Sequence, residues 1–382
     1  MEVQRTEDLD REAAPLREQL VATLESAGVL TDPAWREAFR RVPRHVFVPA
    51  YYDPSGLRIC PEEPRLRRTW LVGVHSDEAL VTQRTSGEPT SSSSQPSLMA
   101  TMLHELRVAD GQQVLEIGAG TGYNAALLAH RLGDDAVTSI DLAPGLTAAA
   151  RAHLAAAGHA PCVITGDGAD GWAERAPYDR IIATCRIDAV PTAWLRQLTE
   201  DGIILAPLGH GLVRLHRTGE AQAGGPFLGT AYFMPLRTET SGRGRAVPVD
   251  ADPAEARTTR LSATDSADDG FRFLVSIIEP DLEWSRDLSA GRERCGVRVR
   301  AADGSTARLD RENRVAEAGP RRVWARLEEA HQVYEAAGRP GPERFGLSVD
   351  GDRQRVWLDS PDGPSWPLPR SQGRPEEATS PP

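Results

Sequence analysis

Residues 114–124 read VLEIGAGTGYN. A short apolar run, 113–117, gives way to glycines at 118, 120 and 122, and an apolar stretch, 124–132, follows. That order predicts strand, glycine loop, helix. Glycine at such a junction lets the backbone turn sharply and approach a ligand closely. The dinucleotide-binding pattern GxGxxG needs glycine where this chain has Tyr123. Asp141 closes the next apolar run, AVTSI (136–140), about twenty residues on, where a carboxylate accepts from ribose hydroxyls. GDG (166–168) ends the third run, and Asp167 there is placed to accept from an adenine amino group. Ribose and adenine contacts without the third glycine fit S-adenosylmethionine better than a nicotinamide dinucleotide. A tight turn flanked by surface acids is the alternative. The fall of all these parts at consecutive strand ends favours a site, because that edge of an open α/β sheet binds ligands.

Outward from this loop, helices are expected at 98–106, 124–132, 146–157 and 191–198. Strands are expected at 113–117, 136–140, 162–165, 179–184 and 202–207, with closing strands at 211–217 and 231–236. Alternation of this kind predicts an α/β fold with a mostly parallel sheet covered by helices on both faces. Upstream, Leu16, Leu20, Val21 and Leu24 share one face of a helix over 12–27, and a second helix starts after Asp32-Pro33. Residues 53–96 read as largely irregular. The expected organisation is an N-terminal helical segment with the loop that follows it (1–97) and an α/β core that binds the S-adenosylmethionine-type ligand (98–237). A polar linker (238–270), a small C-terminal α+β domain (271–365) and a disordered tail (366–382) follow. In the C-terminal domain FRFLVSIIEP, CGVRVRA, FGLSVD and RVWLD are predicted as strands and 321–338 as a helix.

A chain of 382 residues favours two domains. Its net charge of −11 argues against general nucleic-acid binding, which needs a positive field. The acidic N-terminus lacks the basic and apolar regions of a secretory signal, and no apolar run approaches the ~20 residues of a membrane helix. The four cysteines, Cys60, Cys162, Cys185 and Cys295, form no CxxC pair, and the nine histidines no HxxxH. A reduced, cytoplasmic, metal-free protein is expected.

TSSSSQP (90–96) has the composition of a flexible linker. Its place among other motifs gives a different reading. VPRHVFVP (42–49), SDEALVTQ (76–83), SSSQP, VLEIGAGTGY, GDG and APYDRIIAT with Val190-Pro191 together resemble the protein-L-isoaspartate O-methyltransferase family, from about Leu16 to Leu236. The resemblance implies a class I S-adenosylmethionine-dependent fold, Rossmann-like with seven strands. It implies that SSSQP stands for the family's Thr-Ile-Ser-x-Pro loop beside the cofactor. Ser94 then faces the substrate carboxylate, with Ser93 beside it as a second catalytic candidate. Ser92, Gln95, Glu116, Gly118, Gly120, Gly122, Asp141, Asp167, Gly168 and Thr184 are the implied cofactor-binding residues. Ser92 and Ser93 in place of Thr and Ile make the cleft more polar than the family pattern.

The serine-rich loop, DRIIATC and AYFMPLR also resemble a narrower branch, whose members accompany ATP-grasp ligases in maturing ribosomally made, crosslinked peptides (graspetides). That branch implies a modified precursor peptide as substrate and an ATP-grasp ligase as partner. It implies methylation of an aspartate side chain, then collapse of the ester to an aspartimide that opens to isoaspartate. A related lanthipeptide branch, a repair enzyme for isoaspartyl damage, and an inactive scaffold that binds a peptide or ligase are the competing readings. A carboxylate is anionic at neutral pH, so methyl transfer to it requires no general base. His45 is expected to fix the fold, Asp77 to shape the cleft mouth or a turn, and Cys185 to be no nucleophile.

Overall fold

The structure is a computed structural model that describes residues 2–238, 246–287 and 296–369. Three helices come first: α1 (Glu2–Ser26), α2 (Pro33–Arg41) and the short α3 (Arg44–Phe47). The Asp32 carboxylate accepts from the amides of Ala34 and Trp35, and Pro33 supplies the first helical φ, so α2 starts where the sequence places it. Next come β1 (Tyr51–Tyr52), β2 (Arg58–Ile59), α4 (Arg67–Val74), β3 (Leu80–Thr85) and β4 (Glu88–Ser93). The four strands form a small sheet in the order β2-β1-β3-β4. Residues 53–96 are therefore more regular than expected. The β3–β4 hairpin turns on Ser86 and Gly87, both at positive φ. Its second strand, EPTSSS, carries no apolar alternation to announce it.

The central elements are α5 (Pro96–Glu105), β5 (Val114–Ile117), α6 (Tyr123–Leu132), β6 (Val137–Asp141), α7 (Pro144–Ala156) and β7 (Cys162–Thr165). Then follow β8 (Tyr178–Ala183), α8 (Thr192–Arg196), β9 (Leu198–Leu208), β10 (Gly211–Gly219) and β11 (Gln222–Thr230). In space the strands run β11-β10-β9-β8-β5-β6-β7. Strands β5 to β9 are mutually parallel and β10 and β11 antiparallel, so the expected mostly parallel seven-stranded core is present. One closing strand is displaced. The sequence predicts 231–236, yet β11 is 222–230, whose QAGGPFLGT has low strand propensity. Its Gly225 is required by packing, since a Cβ there would sit 2.0 Å from the Arg214 carbonyl oxygen. Residues 231–236 instead run beside Arg186, whose amide donates to the Met234 carbonyl (2.8 Å) and whose carbonyl accepts from Leu236 (2.7 Å).

Beyond residue 237 the chain departs further from expectation. Its elements are β12 (Arg257–Thr258), α9 (Asp269–Ile278), β13 (Glu283–Asp287), β14 (Gly296–Arg300), β15 (Thr306–Leu309) and β16 (Arg314–Ala318). After them come α10 (Val323–Ala336), β17 (Phe345–Asp350), β18 (Arg353–Leu358) and β19 (Ser365–Pro367). FRFLVSIIEP, expected as a strand, is the helix α9, capped by Asp268, whose carboxylate accepts from the Phe271 amide. Phe271, Phe273, Val275 and Ile277 alternate with Arg272 and Ser276, so the segment matches a strand's period of two as well as a helix. Strand β17 pairs with β11, and β18 and β19 follow, extending the central sheet to ten strands. The expected separate α+β domain is thus half continuous with the methyltransferase sheet. Its other half is a five-stranded sheet, β12-β16-β15-β14-β13.

The expected linker at 238–270 is likewise structured where it is described. Leu261 is buried and Arg257 pairs with Glu317 and Glu328. Residues 239–245 lie outside the described residues. The expected disordered tail begins inside β19, where Trp366 pairs with Val356, and residues 370–382 lie outside the described residues. Among the described residues no helix is long and apolar enough to cross a membrane.

Candidate active site

A cleft of about 790 Å³ opens at the carboxyl ends of β5, β6 and β8. The glycine loop forms one wall, the serine strand β4 another, and residues 230–237 a third. Of the residues the sequence singles out, Ser92, Ser93, Ser94, Gln95, Glu116, Gly118, Gly120, Asp141, Gly168 and Thr184 line it. Gly122 and Asp167 do not. Gly122 instead lets the loop close on α7, with its would-be Cβ 3.3 Å from Ala150. The Asp167 carboxylate accepts from the Ala169 amide at 2.9 Å and so caps the turn that carries Gly168.

Glu116 lies at the base of the cleft, fully buried. Its carboxylate accepts from Asn124 Nδ2 at 2.8 Å and from the Ser139 hydroxyl. Burial pushes its pKa up to about 7 against the pull of those two hydrogen bonds, and the nearby Asp141 charge adds to the rise. Gly118 has φ +94, and a Cβ there would lie 2.9 Å from Thr184 Oγ1. Thr184 Oγ1 donates to the Gly118 carbonyl at 2.7 Å and braces the loop. Asp141 does more than end its strand. It accepts from the amides of Gly120 and Ala143, each at 3.1 Å, and lies 3.9 Å from the Arg237 guanidinium. Burial raises the Cys185 thiol well above its ordinary range, consistent with its expected inertness.

The serine strand is not a tether. Ser91 and Ser93 are buried, and the strand is backed by Arg44 of the VPRHVFVP motif. Arg44 is only 1% exposed. Its Nη1 donates to the carbonyls of Val74 and Ser76, each at 3.0 Å, and its Nη2 to those of Glu78 (3.1 Å) and Ser94 (3.0 Å). Nε and Nη2 reach the Ser93 hydroxyl at 3.4 and 3.3 Å. Ser93 therefore lines the cleft with its hydroxyl turned to Arg44, and half-buried Ser94 lines it with its carbonyl fixed. Among the described residues no carboxylate lies within ion-pair distance of Arg44. Burial lowers its pKa to about 10, and the Tyr123 and Asp77 groups oppose that fall.

Sequence patterning singles out His45 and not its neighbour Arg44. The available signal is a charged arginine that shares an otherwise apolar motif only with His45. His45 is buried against Trp70 and His75, and burial holds its pKa down to about 4, as befits a fold-fixing residue. Asp77 accepts from the Ser97 amide at 2.8 Å and Gln95 Nε2 at 3.3 Å, anchoring both α5 and the Gln95 side chain.

These features fit an adenosyl cofactor. The left-handed glycines bring backbone against the cleft, carboxylates at two strand ends supply acceptors, and the volume falls in the usual range for such ligands. Comparison with known proteins agrees. The family model described as Protein-L-isoaspartate(D-aspartate) O-methyltransferase matches residues 15–240. The protein-L-isoaspartate O-methyltransferase of Methylorubrum populi is 34% identical over 224 residues, covering 58% of this chain and 94% of that protein. That of Thermotoga maritima is 32% identical over 229 residues, covering 59% of this chain and 66% of its own. A solved protein-L-isoaspartate O-methyltransferase structure covers 90% of this chain and 100% of its own, with TM-score 0.53 and 23% identity, so its likeness reaches past residue 237. The chain belongs to the protein-L-isoaspartate(D-aspartate) O-methyltransferase family, and S-adenosylmethionine is its cofactor.

Proposed function

We propose that this protein methylates the side-chain carboxylate of an aspartyl residue in a ribosomally made peptide already crosslinked by an ATP-grasp ligase. One observation carries the carboxylate part of the reading. A buried guanidinium with neutral oxygen partners stands directly behind the serine strand that lines the cleft. Positive potential there favours an anionic substrate group, and a charge so placed is costly unless something offsets it. S-adenosylmethionine, when bound, supplies an electrophilic methyl group. The backbone at Gly118 and Gly120 and the Asp141 carboxylate would hold it in the cleft, where the substrate carboxylate oxygen would receive the methyl group. Ser94 holds one carboxylate oxygen and Arg44 fixes Ser94. The carboxylate is ionised beforehand, so no side chain removes a proton. Opposite charges cancel along the reaction, and a cleft that excludes water favours that change. The next peptide nitrogen then attacks the ester carbonyl, expelling methanol and leaving an aspartimide.

The tailoring role rests on the polar serine strand in place of the family's Thr-Ile-Ser-x-Pro. The C-terminal region does not discriminate, because a solved family structure matches 90% of the chain. Mass spectrometry separates the readings. The crosslinked precursor is expected to gain a methyl group and then lose methanol, at a kcat/KM well above that for a generic isoaspartyl peptide. The opposite order of preference establishes the isoaspartyl-repair reading.

A further inference from the structure

The cleft wall formed by residues 230–237 reads TAYFMPLR, and within it Tyr232 is 48% exposed. Among the described residues it is the one large exposed apolar side chain that lines the cleft. An exposed tyrosine ordinarily samples several rotamers. This one is held from three sides. The Ala231 amide donates to the His210 carbonyl at 2.9 Å and fixes the backbone beside it. The His210 and Tyr232 rings meet at 4.9 Å between centroids, inclined by 48°. The phenol hydroxyl donates to Asp269 Oδ1 at 2.7 Å. Asp269 is itself firmly placed. It is the first residue of α9, which Asp268 caps and whose Phe271 and Phe273 are buried. Burial, and then the Asp269 carboxylate, hold the Tyr232 phenol above its ordinary range, so it stays a protonated donor. Burial lowers the His210 imidazole to about 4, so the ring against Tyr232 is uncharged at neutral pH.

Methyl transfer uses none of these contacts. The Tyr232 hydroxyl is committed to Asp269, and transfer to a carboxylate needs no acid or base. What the arrangement provides is a rigid aromatic surface on the rim of the cleft. Tyrosine offers a partner a large amphipathic area at the loss of only two side-chain torsions, and here both are fixed before anything binds. A carboxylate is too common a group to be selected by itself, so contacts to its neighbours in the peptide carry the discrimination. Phe233 and Met234 continue the same wall, which therefore suits an aromatic or large apolar side chain rather than a charged one.

We propose that Tyr232 packs against an aromatic or large apolar side chain next to the peptide residue that is methylated, and that Asp269, from the C-terminal extension, is its positioning residue. The inference rests on the carboxyl-methylation reading. The test uses the full chain loaded with S-adenosylhomocysteine and two fluorescein-labelled isoaspartyl peptides, Ser-Phe-isoAsp-Phe-Ser and Ser-Ala-isoAsp-Ala-Ser, in fluorescence anisotropy. The parent is expected to bind the phenylalanine peptide about fivefold more tightly, within the range of one aromatic pair. Tyr232→Ala abolishes that preference. Asp269→Ala, which frees the ring, at least halves it, and Asp269→Asn, which keeps an acceptor oxygen, restores it. Adding Asp269→Ala to Tyr232→Ala changes nothing further, as a residue acting through the ring requires. The readout is a ratio between two peptides on one protein, so a partly unfolded variant does not imitate the effect. A parent with no preference overturns the proposal, and so does a preference that survives Tyr232→Ala. An effect of Asp269→Ala that is as large without the Tyr232 ring as with it overturns the positioning role. A parent that prefers the phenylalanine peptide yet methylates neither upholds the contact and counts against the activity reading alone.

Discussion

At the scale of single residues, Arg44 is the group whose loss reveals most. Arg44→Met would leave the carbonyls of Val74, Ser76, Glu78 and Ser94 without a donor. Each unpaired buried acceptor costs ~1–3 kcal/mol, and relaxation recovers part of it. The expected destabilisation is about 3 kcal/mol by urea unfolding, with KM for peptide raised far more than Kd for the cofactor. Arg44→Lys keeps the charge but not the planar fork of five donors, so it recovers peptide affinity better than stability. An unaltered KM in a folded Arg44→Met protein would remove this residue from substrate positioning. Glu116 makes a prediction about pH. Its pKa rises from 4.5 to about 7 on folding, so the folded state holds a proton that the unfolded state has released between those values. Stability therefore falls as pH climbs from about 4.5 to about 7 and is level above, by an amount on the order of 3 kcal/mol. Glu116→Gln flattens that slope in unfolding experiments across the window. Calorimetry is also expected to show affinity for the cationic cofactor rising through pH 7 in the parent and not in Glu116→Gln.

At the scale of elements, the glycine loop and the serine strand make the site, and the sequence announced them unequally. The loop was legible because an apolar run, three glycines and an apolar helix occur in strict order, and because acids fall at the next two strand ends. Strand β4 was not legible, because Ser91, Ser92 and Ser93 offer no alternation of polarity. Its conformation is imposed by pairing with β3 and by the arginine behind it. Only the family resemblance pointed to it. The helix α9 reads as a strand because its apolar residues also match a period of two, and β11 is displaced because its glycines serve packing rather than propensity. Asp167 illustrates a subtler limit. Its position at a strand end was correct, yet its carboxylate turns back to cap the next backbone turn. The two elements separate by function in one experiment. Ser94→Ala removes the cleft-lining hydroxyl proposed to hold the substrate carboxylate, without touching the loop. It is expected to lower kcat/KM for peptide tenfold or more while cofactor Kd changes less than twofold. Parallel losses in both would make β4 part of the cofactor's enclosure instead.

At the scale of the whole molecule, the question is whether the residues after 237 are an accessory or part of the fold. The match to the Methylorubrum populi protein covers 94% of that protein with only 58% of this chain, so the family fold does not demand the extension. This chain's own residues do. Strand β17 pairs along β11 from Gln222–Asp350 to Pro226–Gly346, so removing it exposes a long sheet edge. The rings of Phe273 and Phe227 meet at 4.8 Å, and Phe273 meets Phe345 at 5.0 Å, all three buried. Buried Gln354 accepts from the Val190 amide at 2.8 Å and donates to its carbonyl at 2.7 Å, sealing the loop before α8. Ser276 Oγ accepts from His210 at 2.9 Å, and Tyr232, on the cleft rim, donates to Asp269 at 2.7 Å. Truncation after Leu236 would uncover Phe227, leave the Val190 backbone unpaired and open the β11 edge at once. The fragment is expected to aggregate or to melt far below the full chain, rather than to persist as an active core. Phe273→Ala in the full chain tests the same claim gently and should cost about 3–5 kcal/mol, the usual range for emptying a buried phenylalanine site. Tyr232→Phe, which cuts only the link to Asp269, should leave stability within about 1 kcal/mol of the parent. A soluble 1–236 fragment that binds cofactor and melts within a few degrees of the full chain would show that the extension is a separable module after all.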